Sequence, residues 1–173
     1  RDEADDDSIP PRLPNLTPLL WHSQQATTDE ASLARFLTFC DQAGQQPILS
    51  LNEDSFSASF IALLSNLPST PLITLSPKAD QNAVSGYRAL AANLAQHNLP
   101  FPLWIRNNQT NLLFSDDDLF SARLLDSSIL SGSLLCDGIG EILSVEHTGE
   151  LNRNRGLAYN LLQGARARIS KTE

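Results

Sequence analysis

Pro47-Ile48-Leu49-Ser50-Leu51 and Leu72-Ile73-Thr74-Leu75 decide the reading of this chain. Each is a short apolar run bounded by turn formers, the pattern of a strand buried on both faces. Between them Phe56, Phe60, Ile61, Leu63 and Leu64 fall at helical spacing, with Asp54 or Ser55 as the cap and Pro68 as the stop. After the second run, Asp80 opens a longer helix whose apolar stripe is Val84, Tyr87, Leu90, Ala91 and Leu94, ending near Asn98. Phe101-Pro102-Leu103-Trp104-Ile105-Arg106 then returns to strand, with Pro102 near its start, where a ladder donor can be spared.

The same alternation continues in both directions. Upstream, residues 18–22 form a short apolar run, and Thr28-Asp29-Glu30 caps a helix carrying Leu33, Phe36, Leu37 and Cys40 up to Gly44. Downstream, 107–115 reads as polar loop. Asp116-Asp117-Asp118 leads a helical piece to Leu125, and a second piece covers 128–135. Gly138 and Gly140 make a turn into a strand at 141–145. Thr148 caps a last helix with Leu151, Ala158, Leu161, Leu162 and Ala165 on one face. Strands alternating with helices give an α/β fold of repeated βα units around a mainly parallel sheet. Four or five units fit, and a complete eight-unit barrel takes about 200 residues or more. The expectation is a partial or degenerate TIM-barrel-like sheet.

The chain has 173 residues, 41% of them hydrophobic, which suits one folded domain. Residues 1–16, acidic and then rich in proline, read as a linker, and 17–173 as the single domain. The formal charge of −8 argues against nucleic acid and anionic membranes as partners. Residues 1–7 hold five acids and one base, whereas 153–171 holds Arg153, Arg155, Arg166, Arg168 and Lys171 and no acid. Such opposite ends suggest junctions with different neighbours. No apolar run approaches the ~20 residues of a membrane span. A start at Arg1 and the lack of any Met read as a segment of something longer.

Chemistry-bearing patterns are sparse. Cys40 and Cys136 are isolated, so they form neither a metal motif nor a disulfide framework, and they read as two reduced, buried thiols of a cytosolic protein. His22 and His147 fall at strand ends, where parallel sheets gather ligands, but each also suits a plain loop; His97 has no such placement. Arg106-Asn107-Asn108 follows a strand and either grips a small anion or makes ordinary turn chemistry. Asp116-Asp117-Asp118 lacks the spacing of a calcium loop and suits a helix N-terminus. Gly132, Gly138 and Gly140 are too scattered for a phosphate-binding fingerprint, and Ser57 and Ser59 lack a nucleophile-elbow frame. No metal ligand set emerges.

Two segments carry a resemblance. Residues 131–141, SGSLLCDGIGE, resemble the GxLLxDGxGD segment of the 4-hydroxy-3-methylbut-2-enyl diphosphate synthase family. Residues 160–173, NLLQGARARISKTE, are similar to the NLLQGxRxRxxKTE element of its three-domain members. One departure is Glu141 where the family has Asp, which keeps the charge. The first motif, Asp137, Gly138, Gly140 and Glu141, reads as a structural turn.

The resemblance implies a non-catalytic insertion domain acting as a structural spacer, flanked by a barrel domain and an iron–sulfur domain of the same chain. It implies that the parent enzyme reductively converts 2-C-methyl-D-erythritol 2,4-cyclodiphosphate to 4-hydroxy-3-methylbut-2-enyl diphosphate in bacterial cytoplasm. The parent's 4Fe-4S cluster rests on three cysteines and a glutamate of another domain, with no cofactor in this segment. Arg166 and Arg168 match a basic pair before the cluster domain and are candidates for the substrate's diphosphate. The competing readings are a small-anion-binding α/β domain using Arg106, Asn107 or His147, and a docking module for an electron donor.

Overall fold

The computed structural model describes residues 19–22, 30–67, 69–76, 82–108, 120–146 and 151–169. The linker read at 1–16, the caps read at Thr28, Asp80 and Thr148, the acidic run 116–118 and His147 lie outside them. The element order is β1 (Leu19–His22), α1 (Glu30–Ala43), β2 (Pro47–Leu51), a 3-10 turn (Glu53–Ser55), α2 (Ala58–Ser65), β3 (Leu72–Leu75), α3 (Ala83–Gln96), β4 (Leu103–Asn107), α4 (Phe120–Cys136), β5 (Ile142–Val145) and α5 (Leu151–Ile169).

All five strands are parallel, and they stand side by side in sequence order, β1-β2-β3-β4-β5. The registers align Leu49 with Ile73, Ile73 with Leu103, and Ile105 with Leu143, so these side chains share one face. That face packs against the helices. Leu49, Leu51, Ile73, Leu75, Leu103 and Ile105 form a single core with Leu33 and Leu37 of α1, Phe60 and Leu64 of α2, Tyr87, Leu90 and Leu94 of α3, and Leu130 and Leu134 of α4. Crossovers between parallel strands are right-handed as a rule, which suits the packing of α1, α2, α3 and α4 on this one face. The result is the wall of a barrel, open because β1 and β5 do not meet among the described residues. The α/β expectation of repeated βα units holds.

Several boundaries differ from the sequence reading, each for a local reason. Asn52 caps the 3-10 turn, and Ser57 caps α2 through a 3.2 Å bond from the Phe60 N–H, so Phe56 precedes the helix. Asn82 caps α3, its carboxamide accepting from the Val84 N–H at 2.9 Å. The two helical pieces expected before Cys136 are one helix, α4. The polar run that suggested a break does not force one. Ser128 and Ser133 donate to the carbonyls of Leu124 and Ile129 at 2.6 Å, satisfying their hydroxyls inside the helix. On α5 the inward residues include Leu157 and Ala165, while Leu162 faces out.

Helices α1, α3 and α4 end alike. Gly44 (φ 64°), Asn98 (φ 53°) and Gly138 (φ 75°) are left-handed, and the next N–H reaches back to a carbonyl in the last helical turn. Those bonds run from Gln45 to Cys40 (2.8 Å), Leu99 to Leu94 (2.9 Å) and Ile139 to Leu134 (2.9 Å). After α4 a second constraint follows. Gly140 has φ 101°, and a Cβ there would stand 2.4 Å from Ile105 Cδ1 in the core. Gly140→Ala is expected to lower stability by about 1–3 kcal/mol from the backbone alone, with the Ile105 clash adding to it. Gly132→Ala, mid-helix with open space around it, is the control and should gain up to about 1 kcal/mol. Urea midpoints of the two variants check this; equal midpoints would refute it.

Candidate functional site

In a parallel sheet the natural place for chemistry is beyond the carboxyl ends of the strands. Here that rim is held by three sets of internal bonds. The first is between β3 and β4, whose paired register ends at Thr74 and Trp104. Beyond it the Tyr87 hydroxyl, reaching in from α3, accepts from the Arg106 N–H at 3.0 Å and donates to the Trp104 carbonyl at 3.2 Å. Thr74 Oγ1 donates to the same carbonyl at 3.0 Å. Burial pushes the Tyr87 phenol above its ordinary value, so it stays protonated and can keep donating.

The second set is the Arg106 side chain. Its Nε and a terminal nitrogen donate to the two Glu146 oxygens at 2.8 and 2.7 Å, a bidentate fork. The guanidinium also lies 5.0 Å from the Trp104 ring centroid. Ser144 Oγ donates to Glu146 Oε1 at 2.8 Å and accepts from the Trp104 indole N–H at 3.1 Å. The bond to Glu146 raises the Arg106 pKa further above its ordinary value. The third set is Asn107, buried, whose carboxamide donates to Ser131 Oγ at 2.8 Å and to the Ser144 carbonyl at 2.9 Å.

Arg106 and Asn107, read together from sequence as an anion grip, therefore point to different places. Arg106 is matched by a carboxylate, and Asn107 ties α4 to β5. Asn108 is half-buried. About one turn before Ser131, Asp126 Oδ1 and Ser127 Oγ are buried and find no hydrogen-bond partner among the described residues. Sequence reading singled out neither Glu146 nor Tyr87. Glu146 ended a strand without a motif, and Tyr87 looked like an ordinary apolar stripe residue.

The 131–141 motif is a chain of ties. Asp137 receives Arg88 Nε at 2.8 Å, joining α4 to α3. Glu141 Oε2 accepts from the Leu103 N–H at 2.6 Å, and the Glu141 N–H donates to the Leu103 carbonyl at 2.9 Å. A groove of about 670 Å³ runs beside it, with Arg88, Gly132, Cys136 and Asp137 on one side and Asn160, Leu161 and Gly164 on the other. Residues of both recognised motifs thus meet across one groove. On α5, Arg166 is exposed. The helix is continuous to Ile169, so positions 166 and 168 lie about 200° apart around its axis. The Arg168 side chain lies outside the described residues, as does that of His22. His97 caps the end of α3 and stacks on Phe56 at 6.0 Å.

Among the described residues, no group of three or more His, Cys, Asp or Glu side chains could hold a metal ion. A 4Fe-4S cluster needs four ligands, usually thiolates. The chain has two cysteines, of which Cys40 is 1% exposed in the core, so these residues do not fit one. No helix among the described residues is long and apolar enough to cross a membrane.

The chain is 36% identical over 86 residues to a 4-hydroxy-3-methylbut-2-en-1-yl diphosphate synthase (flavodoxin) of Chlorobaculum tepidum, covering 50% of this chain and 11% of that protein. It is 29% identical over 157 residues to the enzyme of the same name from Protochlamydia amoebophila, covering 88% of this chain and 21% of that protein. The chain is homologous to part of these synthases, in line with the resemblance of its two motifs. No family profile matches the chain, and no solved structure does.

The two thiols should behave differently. Only one of the two thiols read as buried is so: Cys136, in the last turn of α4 beside the groove, is exposed, whereas burial pushes the Cys40 thiol from 9.0 to about 11. Native protein at pH 8 is expected to give one fast thiol equivalent with a disulfide reagent, assigned to Cys136 by mass spectrometry, with Cys40 reacting only on unfolding. The unfolded chain ionises Cys40 first. Its contribution to stability is therefore intact below pH 9 and is lost as pH rises towards about 11. Two fast equivalents would contradict the packing of α1.

Proposed function

We propose that the chain is an inserted, non-catalytic spacer domain of a 4-hydroxy-3-methylbut-2-en-1-yl diphosphate synthase. Homology supplies the parent. The observation that carries the non-catalytic part is the Arg106–Glu146 fork. At the rim where a βα fold would bind an anion, the available guanidinium already holds a carboxylate of the chain itself. A bound diphosphate would have to compete with Glu146 for that guanidinium.

In the intact enzyme, neighbouring domains of the polypeptide carry out the reductive opening of 2-C-methyl-D-erythritol 2,4-cyclodiphosphate and the loss of water. Their 4Fe-4S cluster supplies the electrons. This domain sets the separation of those neighbours through a rigid five-stranded wall. Arg166, exposed on α5, faces a neighbouring domain. The parent works in the cytoplasm.

Calorimetric titration of the chain with 2-C-methyl-D-erythritol 2,4-cyclodiphosphate, with pyrophosphate as control, tests the proposal. The expected outcome is no heat at millimolar ligand, a Kd weaker than about 1 mM and less than ~4 kcal/mol of binding. Micromolar binding of the cyclodiphosphate would overturn the spacer reading and restore the anion site. A preparation of the chain carrying iron and absorbing in the visible would overturn it equally.

A further inference from the structure

We propose that the sheet consists of two ribbons, β1-β2-β3 and β4-β5, clasped at their carboxyl ends by the Tyr87 hydroxyl, and that the seam between them is where the wall opens. This deepens the spacer reading, on which it rests for its use: a seam across the wall is a hinge between whatever the two ribbons adjoin.

The seam is written in the register. Leu72 to Leu75 of β3 all pair with β2, and Trp104 to Asn107 of β4 all pair with β5. Between β3 and β4 the pairing stops after Ile73 with Leu103 and Thr74 with Trp104. Each strand therefore stays with its outer neighbour up to the rim while the two part from each other. Backbone bonds past the strand ends keep the same division. The Ser76 N–H donates to the Leu51 carbonyl at 2.7 Å, and the Glu146 N–H to the Asn107 carbonyl at 2.8 Å. Side chains follow it too. The Ser50 hydroxyl donates to the Leu75 carbonyl at 3.3 Å inside the first ribbon. Asn107 with Ser144, Trp104 with Ser144, and Arg106 with Glu146 are joined inside the second.

Thr74 and Tyr87 bridge the fork. Thr74 Oγ1 donates to the Trp104 carbonyl across the seam. Helix α3, lying against β3 and α4, sends Tyr87 into the opening, where its fully buried side chain ends 3.2 Å from Thr74 Oγ1. The phenol oxygen gives the Arg106 N–H an acceptor that the ladder no longer supplies. At the amino ends the ribbons stay joined by the Ile73 N–H, which donates to the Pro102 carbonyl at 2.9 Å, and Arg88 ties α3 to Asp137 of α4. An opening therefore starts at the carboxyl rim and pivots at the amino ends. The stretch with the fewest backbone bonds opens at the lowest free energy, and here that stretch hangs on one hydroxyl. β1 begins one ribbon and α5 packs on β5 of the other, so movement at the seam turns the first element of the segment relative to the last.

Hydrogen–deuterium exchange of the full-length polypeptide that contains this segment, read at single amides by mass spectrometry, tests the seam. Tyr87→Phe keeps the ring in the core and removes the hydroxyl. Exchange at the Arg106 amide is expected to rise at least about tenfold, while the amides of Ser76 and Glu146, each bonded within its own ribbon, change less than about twofold. Thr74→Val removes the other bridge and should give the same pattern with a rise of about threefold, and it carries the test if the tyrosine variant does not fold. An Arg106 amide unmoved in every folded variant would overturn the proposal. So would equal acceleration of all three amides, the behaviour of residues that support the fold as a whole. The titration of the previous section is read independently: a chain that binds the cyclodiphosphate still has the seam if Arg106 alone accelerates, and a chain that binds none is a spacer without a seam if it does not.

Discussion

A parallel strand can be reached from its neighbour only by crossing the sheet and coming back. When the strands also stand in sequence order, every right-handed crossover lands on the same face. Much of this structure depends on that constraint. One face of β2, β3 and β4 collects the helices and becomes a continuous core. The return from helix to strand must also be short, and three of the helices make it by the same left-handed step at Gly44, Asn98 and Gly138. Gly140 carries the constraint furthest. The chain there passes so close to Ile105 that no side chain fits, which lets β5 lie directly against β4.

The cost of this geometry appears at the carboxyl ends of the strands. Twist separates strands as they rise, and a ladder that opens leaves backbone groups to be satisfied in the interior. Between β3 and β4 the Tyr87 hydroxyl fills the gap, taking one N–H and serving one carbonyl. Between β4 and β5 the side chains of Asn107, Ser144, Arg106 and Glu146 knit the rim. In an enzyme of this architecture those positions present polar groups to a substrate. Here their hydrogen bonds close on each other, so the rim stiffens the wall. This supports a scaffold role more directly than the lack of any motif does, because it gives the polar residues another occupation.

The core elements were legible in the sequence because two strands, Pro47–Leu51 and Leu72–Leu75, are apolar except for Ser50 and Thr74 and the helices next to them keep a clean period. Boundaries were less legible where two polar residues competed for a cap, as with Asp54, Ser55 and Ser57 before α2. Serines in α4 looked like a break because their alternative, bonding to a carbonyl four residues back, leaves no trace in a linear pattern. The rim was hardest to read. Arg106 and Glu146 are 40 residues apart, and nothing local to either shows that β4 and β5 bring them together. The family motifs were visible as strings, but that they meet across one groove is a property of helix packing alone.

An open parallel sheet carries a liability at each edge, since an unpaired strand invites another. At β5 the chain limits it by length and by anchoring. The strand has four residues, is tied at its start through Glu141 to the Leu103 N–H, and is followed by Glu146 in its fork with Arg106. Those ties hold the edge in shape whether or not anything covers it.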